Sequence, residues 1–182
     1  MAIKPITNPT NCLTTNCKGF PPSSKHFGAV AENIAKKPIT TRNATTIKSV
    51  ESGDEIIASA GLFGGTIDLF GDLKAFGITT RFVNHVTAEE IKPLINDKTK
   101  AVFAELIGNP GLEIVDISEI SALCHESNVP FILDSTTATP YLVNPFEYGA
   151  DIVVHSTSKY INGGGNAISG IIIDSGKFEW DT

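Results

Sequence analysis

The sequence predicts an α/β domain, a mostly parallel sheet flanked by helices with one antiparallel strand. Three observations carry this. From Ser52 onward, short runs rich in Ile, Val and Phe alternate with stretches whose apolar residues recur at helical spacing, the pattern of strands joined by helical crossovers. Two of the runs, Phe131 to Asp134 and Ile152 to His155, are apolar until their last residue, as strands covered on both faces are. Finally, only Ser156 to Ala167 separate the last two runs, and that stretch holds Gly163, Gly164 and Gly165. A parallel crossover takes about a dozen or more residues, mostly helical, and consecutive glycines oppose a helix. The final run, Ile168 to Ile173, is therefore expected to return antiparallel to its neighbour.

Each element follows from its residues in order. Glu55 to Ala60 reads as the first strand. Thr66 to Phe76 places Ile67, Phe70, Leu73 and Phe76 at helical spacing, with Gly77 as the stop. Thr79 to Asn84 is a second strand. Thr87 with Glu90 three residues on has the form of a capping box opening a helix. Ala101 to Glu105 is a third strand, and Asp116 with Glu119 opens a helix running to about His125. Phe131 to Asp134 and Ile152 to His155 are the fourth and fifth strands. Before them, residues 1–50 lack periodicity and carry Pro5, Pro9, Pro21, Pro22 and Pro38 among many polar residues, which reads as an irregular segment. Residues 51–182 form the organised part.

Composition narrows the function classes. Among 182 residues, 41% are hydrophobic and 19% charged, which is globular composition. The net charge of −6 opposes nucleic-acid or anionic-membrane binding, since both need clustered Lys and Arg. No long apolar run and no leader with a basic head followed by an apolar stretch is present, so no membrane role and a cytoplasmic location are expected. Cys12, Cys17 and Cys124 are too few for a disulfide framework, and Cys124 falls inside a helical pattern as a core residue. His26, His85 and His125 lack metal-ligand spacing, so no metal is expected. His155 reads as packed between strand and helix. The three glycines follow a lysine turn and not a strand, so they are not a dinucleotide fingerprint.

The chemistry gathers around Lys159. It closes the stretch Asp151-Ile152-Val153-Val154-His155-Ser156-Thr157-Ser158-Lys159, an apolar strand followed by a hydroxyl-rich turn and a single lysine. Asp134 ends the neighbouring apolar strand. An amine and a carboxylate at the ends of two buried strands suit pyridoxal 5'-phosphate: the amine condenses with its aldehyde, and the acid keeps its ring nitrogen protonated. In α/β sheets, sites gather at the carboxyl ends of strands. A surface lysine and a turn-forming acid are the plain alternatives for these two residues.

Residues from about Ser52 to Trp180 resemble the Cys/Met-metabolism family of pyridoxal-phosphate enzymes, and within it the O-acetylhomoserine sulfhydrylases. The matching stretches are Gly53 to Ser59, Leu62-Phe63-Gly64-Gly65-Thr66, Asn109-Pro110, Asp134-Ser135-Thr136, Gly149 to Tyr160 and Ile172 to Trp180. The lysine stretch is the most specific of these, and Gly176-Lys177-Phe178-Glu179-Trp180 points to the sulfhydrylase subgroup.

The resemblance implies an incomplete aspartate-aminotransferase-like large domain, with the family's C-terminal domain absent. It also implies site roles: Lys159 as the cofactor-bearing lysine and proton shuttle, Asp134 on the pyridine nitrogen, and Ser156 with Ser158 on the phosphate. Phe63 would stack on the ring where relatives commonly carry Tyr, Asn109 would meet the phenolic oxygen, and Thr136 the ring face. Ordinary packing for Phe63, an Asn-Pro turn for Asn109 and simple turn polarity for the serines stand beside those roles.

The implied reaction joins an amino-acid substrate, O-acetyl-L-homoserine, to sulfide or a thiol, giving homocysteine or methionine plus acetate. Relatives imply a homo-oligomer. Two alternatives stand: a chain without turnover, and cystathionine γ-synthase or γ-lyase chemistry on the same scaffold. The family's substrate-carboxylate arginine has no counterpart in a matching motif, since the only arginines are Arg42 and Arg81.

Overall fold

The computed structural model describes residues 50–180. The irregular segment expected over 1–50 lies outside the described residues except for Val50, and with it lie Cys12, Cys17, His26 and Arg42. Six strands form one sheet: β1 (Glu55–Ser59), β2 (Thr79–Val83), β3 (Thr99–Glu105), β4 (Phe131–Asp134), β5 (Ile152–His155) and β6 (Ile171–Asp174). Their order across the sheet is β2-β1-β3-β4-β5-β6. All neighbours pair parallel except β5 with β6, which pair antiparallel, as the short glycine-rich connection requires.

One face of the sheet carries the core. Ile57, Val102, Phe131, Leu133 and Val153 lie on it in register and are essentially closed to solvent. The helix α3 (Ile117–Glu126) adds Ile117, Ile120, Leu123 and Cys124 to the same cluster. Burying each large aliphatic or aromatic side chain is worth roughly 1.5–3 kcal/mol, so this face specifies the register. A slip of β4 by one residue would turn Asp134 into the core and Phe131 and Leu133 out. The other face, with Phe103, Ile132, Ile152 and Val154, is half-buried. There α1 (Gly64–Asp72) sets Phe70 edge-on to Phe103, with ring centres 5.0 Å apart.

The helix boundaries show which local signals won. After α1 a 3-10 turn, Leu73–Phe76, ends at Gly77, whose φ of 79° is a left-handed cap that favours glycine. The helix α2 (Ala88–Ile91) is short because Pro93 passes it into a 3-10 turn, Lys92–Leu94. Both expected capping boxes are half formed. Thr87 and Asp116 accept the N–H groups of Glu90 and Glu119. The two glutamates do not reach back, and instead hold other segments: Glu90 accepts from the N–H groups of Asn84 and His85, and Glu119 from that of Ala88.

A further short helix, α4 (Thr139–Leu142), followed by a 3-10 turn at Pro145–Glu147, has no counterpart in the sequence-level reading. Four residues containing Pro140 are too few to show a period. The last strand begins three residues later than expected, because the main chain of Ser169 is bonded to the Ser158 hydroxyl and Gly170 runs against the His155 carbonyl.

At the amino-terminal end of β1, Glu55 accepts two hydrogen bonds from Arg81, at 2.7 and 2.8 Å, and one from Asn96 at 2.9 Å. The Arg81 bonds, then that of Asn96, pull its carboxyl down from 4.5 to about 2. A carboxyl lowered in the folded state stabilises the fold above its ordinary range and loses that contribution as pH falls through its folded value. The stability difference between the native chain and Glu55→Gln in urea titrations should be full near pH 6 and should close between pH 4.5 and about 2. Cys124 is fully buried, and burial, with the Asp151 charge second, pushes its thiol up to about 12. Thiol reagents should leave Cys124 unlabelled in the folded chain and label it on unfolding, as read by peptide mapping.

Candidate functional site

The carboxyl ends of β3, β4 and β5 lie side by side. Glu105 stands directly across from Asp134, and Asp134 across from Val154. Residues paired in register project to the same face, so Glu105 and Asp134 sit together on the half-buried face. The Asp134 Oδ1 accepts the N–H of Thr136 at 2.8 Å. Among the described residues its other oxygen accepts no hydrogen bond. No lysine or arginine pairs with either carboxylate among the described residues. Burial pushes the Glu105 carboxyl up; the Phe63 N–H pulls it back, and the neighbouring Asp134 charge adds to the upward push.

Two links lock the loop after β4 to the loop after β5. Thr136 Oγ1 accepts the N–H of Ser156 at 2.8 Å. His155, which is buried, donates from Nδ1 to the carbonyl of Ser135 at 3.0 Å. Burial holds the imidazole below its ordinary pKa, against the opposing pull of that carbonyl and of Asp134. The ring is therefore neutral, with its proton on Nδ1, and serves to fix the strand ends.

Lys159 follows in an exposed turn. Its N–H donates to the Ser156 carbonyl at 3.1 Å, and its carbonyl accepts the N–H of Gly163 at 2.8 Å. Its amine makes no ion pair among the described residues. The two serines differ. The Ser156 hydroxyl has no partner among the described residues. The Ser158 hydroxyl donates to the Ser169 carbonyl at 3.0 Å and accepts the Ser169 N–H at 2.8 Å. Thr157 also bonds the Ser169 hydroxyl. These contacts clip the returning chain onto the serine turn just before β6.

Phe63 stands at the start of α1, 57% exposed, and its N–H donates to Glu105 Oε1 at 2.6 Å. Asn109 is exposed on the loop after β3, where its N–H donates to the Gly61 carbonyl at 3.0 Å. The loops after β1 and β3 approach closely here: a Cβ on Gly108 would lie 3.3 Å from that same carbonyl. The fold thus gathers Asp134, Thr136, Ser156 and Lys159 on the loops of adjacent strands, and ties Phe63 to the same face through Glu105. It turns the Ser158 hydroxyl toward Ser169. Glu105 is the site neighbour that the sequence reading passed over. The signal was there, since it ends an apolar strand as Asp134 does. Arg81 sits at the opposite end of the sheet, on Glu55.

The Cys/Met-metabolism PLP-dependent enzyme family model matches residues 35–182. The chain belongs to that family. The match opens upstream of Ser52, where the quoted motifs begin. An O-acetyl-L-homoserine sulfhydrylase of Leptospira meyeri is 47% identical over 154 residues, covering 84% of this chain and 35% of that protein. Among solved structures, a Campylobacter jejuni protein named as an O-acetylhomoserine (thiol)-lyase carries N'-pyridoxyl-lysine-5'-monophosphate. It is 38% identical with a TM-score of 0.67, over 69% of this chain and 31% of that one. A cystathionine γ-lyase of Lactobacillus plantarum, complexed with L-serine, is 36% identical with a TM-score of 0.66, over 68% of this chain and 33% of that one. The chain spans about a third of the length of the relatives it matches. The TM-scores show that the chain shares its fold with the matched parts of both structures. No helix among the described residues is long and apolar enough to cross a membrane.

Substituting Ser158→Ala removes both side-chain bonds to Ser169. It should destabilise the chain by about 1 kcal/mol and speed amide exchange at Ser169. Ser156→Ala, whose hydroxyl makes no such bonds, should leave that exchange unchanged.

Proposed function

We propose that this chain carries the cofactor-binding groups of an O-acetylhomoserine sulfhydrylase, an enzyme of sulfur amino-acid biosynthesis. Its reaction replaces the acetate of O-acetyl-L-homoserine with sulfide or a thiol, giving homocysteine or methionine. The observation that carries this reading is the placement of Asp134 and Lys159 on the loops ending two adjacent parallel strands. The resemblance to the Leptospira meyeri sulfhydrylase supports the substrate class. Assembly into a homo-oligomer and a cytoplasmic location belong to the same proposal.

The groups at the site suit pyridoxal 5'-phosphate. Among the described residues they are an amine with no ion pair, a carboxylate with one oxygen unbonded, a hydroxyl without a partner and a largely exposed aromatic side chain. When bound, the cofactor supplies an electron sink for a carbanion beside an amino group. Lys159 would hold it through its ε-amine, and that amine would also be the group that moves protons at the substrate Cα and Cβ. Asp134 holds the ring nitrogen protonated by presenting its unbonded oxygen to it. Ser156 donates to the phosphate. Ser158 can join it only by exchanging its bond to the Ser169 carbonyl for a phosphate oxygen while keeping the Ser169 N–H. Phe63 would offer its ring, Thr136 would contact the cofactor ring, and Asn109 would offer an amide to the phenolic oxygen.

A second reading, cofactor binding without turnover, is favoured by one observation. Arg81 is held on Glu55 at the far edge of the sheet, so it does not grip a substrate carboxylate at this site. Chemistry of the γ-lyase kind shares the scaffold, and products formed with and without sulfide separate it from sulfhydrylation.

Borohydride reduction after incubation with pyridoxal phosphate should place the adduct on Lys159, and Lys159→Ala should abolish it. Asp134→Asn should keep the adduct but weaken cofactor retention by about tenfold or more, the effect of losing a charge-assisted hydrogen bond. Scattered labelling of surface lysines in the native chain would sink the site assignment. Labelling at Lys159 without homocysteine formation from O-acetylhomoserine and sulfide would favour the second reading.

A further inference from the structure

Phe63 is the one proposed cofactor contact that stands at the start of a helix. Something must fix its ring, because an exposed aromatic on a loop samples several rotamers. Two features do so. The main-chain N–H of Phe63 is gripped by Glu105 Oε1 at 2.6 Å, across 42 residues of sequence. Gly65, two residues on, leaves room for the ring itself: a Cβ there would lie 2.9 Å from the Phe63 Cε1 atom and 3.5 Å from Cδ1. The ring therefore folds back over the first turn of α1, where only glycine admits it. Glu105 is rooted in β3 and stands beside Asp134. The carboxylate that sets the start of α1 is thus locked in register with the one proposed to meet the pyridine nitrogen.

We propose that Glu105 is a positioning residue of the cofactor site: by holding the Phe63 N–H from β3, it fixes the distance and angle between the Phe63 ring and a pyridine ring seated on Asp134. This rests on the cofactor reading above. It differs from a plain structural role for Glu105, which would cap the unsatisfied amino-terminal N–H groups of α1 without consequence for the ring. Phe63 has no side-chain cap of its own, so the contact serves the helix as well. The two roles separate in how a bound chromophore responds.

The test uses the native chain, Glu105→Ala, Glu105→Gln, Gly65→Ala and Phe63→Leu, each loaded with pyridoxal phosphate. Labelling at Lys159 is read by reduction, and the induced circular dichroism of the cofactor band is read per mole bound. Without cofactor, Glu105→Ala should raise amide exchange at Phe63 by about tenfold, and Glu105→Gln, whose amide oxygen still accepts, by much less. With cofactor, Glu105→Ala should still label at Lys159 but lose most of the induced signal, as should Gly65→Ala and Phe63→Leu. Glu105→Gln should retain most of it, and the double variant Glu105→Ala/Phe63→Leu should lose no more than Phe63→Leu alone. Should Glu105→Ala fail to fold, Glu105→Asp, one methylene short of the amide, carries the same comparison. Full dichroism per bound cofactor in the folded Glu105 and Gly65 variants overturns the inference alone. Absence of Lys159 labelling in the native chain overturns the cofactor reading, and this inference with it.

Discussion

The register of β3, β4 and β5 is the constraint on which the site depends. Phe131, Leu133 and Val153 face a closed core, and with a side-chain period of two the intervening residues must face the other way. That alternation presents Asp134 and Glu105 together on the half-buried face. No charged partner is needed to orient them, since slippage would bury a carboxylate and expose two large apolar side chains. The core thus acts on the site indirectly: it fixes which way the acids point, and the parallel pairing fixes that they point from the same edge.

The segment carrying Lys159 is held differently. It has no secondary structure of its own, and its shape comes from side chains bonding main chain. Thr136 holds the N–H of Ser156, and Ser158 occupies both main-chain groups of Ser169. The turn is therefore tied at one end to the loop after β4 and at the other to the approach to β6. The antiparallel course of β6 brings Ser169 back to where Ser158 can reach it. A parallel strand would begin at the far edge of the sheet and offer Ser158 nothing. The exceptional strand direction and the conformation of the lysine turn are one feature.

Much of this was legible in the sequence, for identifiable reasons. Uninterrupted apolar runs ending in Asp134 and His155 mark the strands, and the short glycine-rich link to the run opening at Ile168 marks the antiparallel return, because chain reach is geometry. The positions of Asp134 at the end of one strand and of Lys159 just past the next were legible because strand ends are written locally. Glu105 was equally written, but a lone acid closing a strand was read as its boundary; its contact is with a main-chain N–H 42 residues away, which no local pattern records. The roles of Glu90 and Glu119 were misjudged for the same reason. Each sits where a capping box would use it, yet its carboxylate found a different N–H in the tertiary structure. Four-residue helices such as α4 leave no periodic trace at all.

The acids at the two ends of the sheet show why residue type alone does not mark a site. Glu55 is buried, yet three hydrogen bonds from Arg81 and Asn96 satisfy it and hold it ionised. Such a group stabilises the fold and has nothing left to offer a ligand. Glu105 and Asp134 lie side by side with no cation among the described residues, each bonded to one N–H and with acceptor capacity remaining. Two neighbouring carboxylates left in that state cost electrostatic energy that a hydrophobic pair would not. A cationic group bound between the strand ends and the serine turn would relieve that arrangement, and the protonated pyridine ring of the proposed cofactor is a group of that kind. In the proposed site that charge would meet Asp134, one of whose oxygens accepts no hydrogen bond among the described residues, with Glu105 engaged on Phe63 beside it.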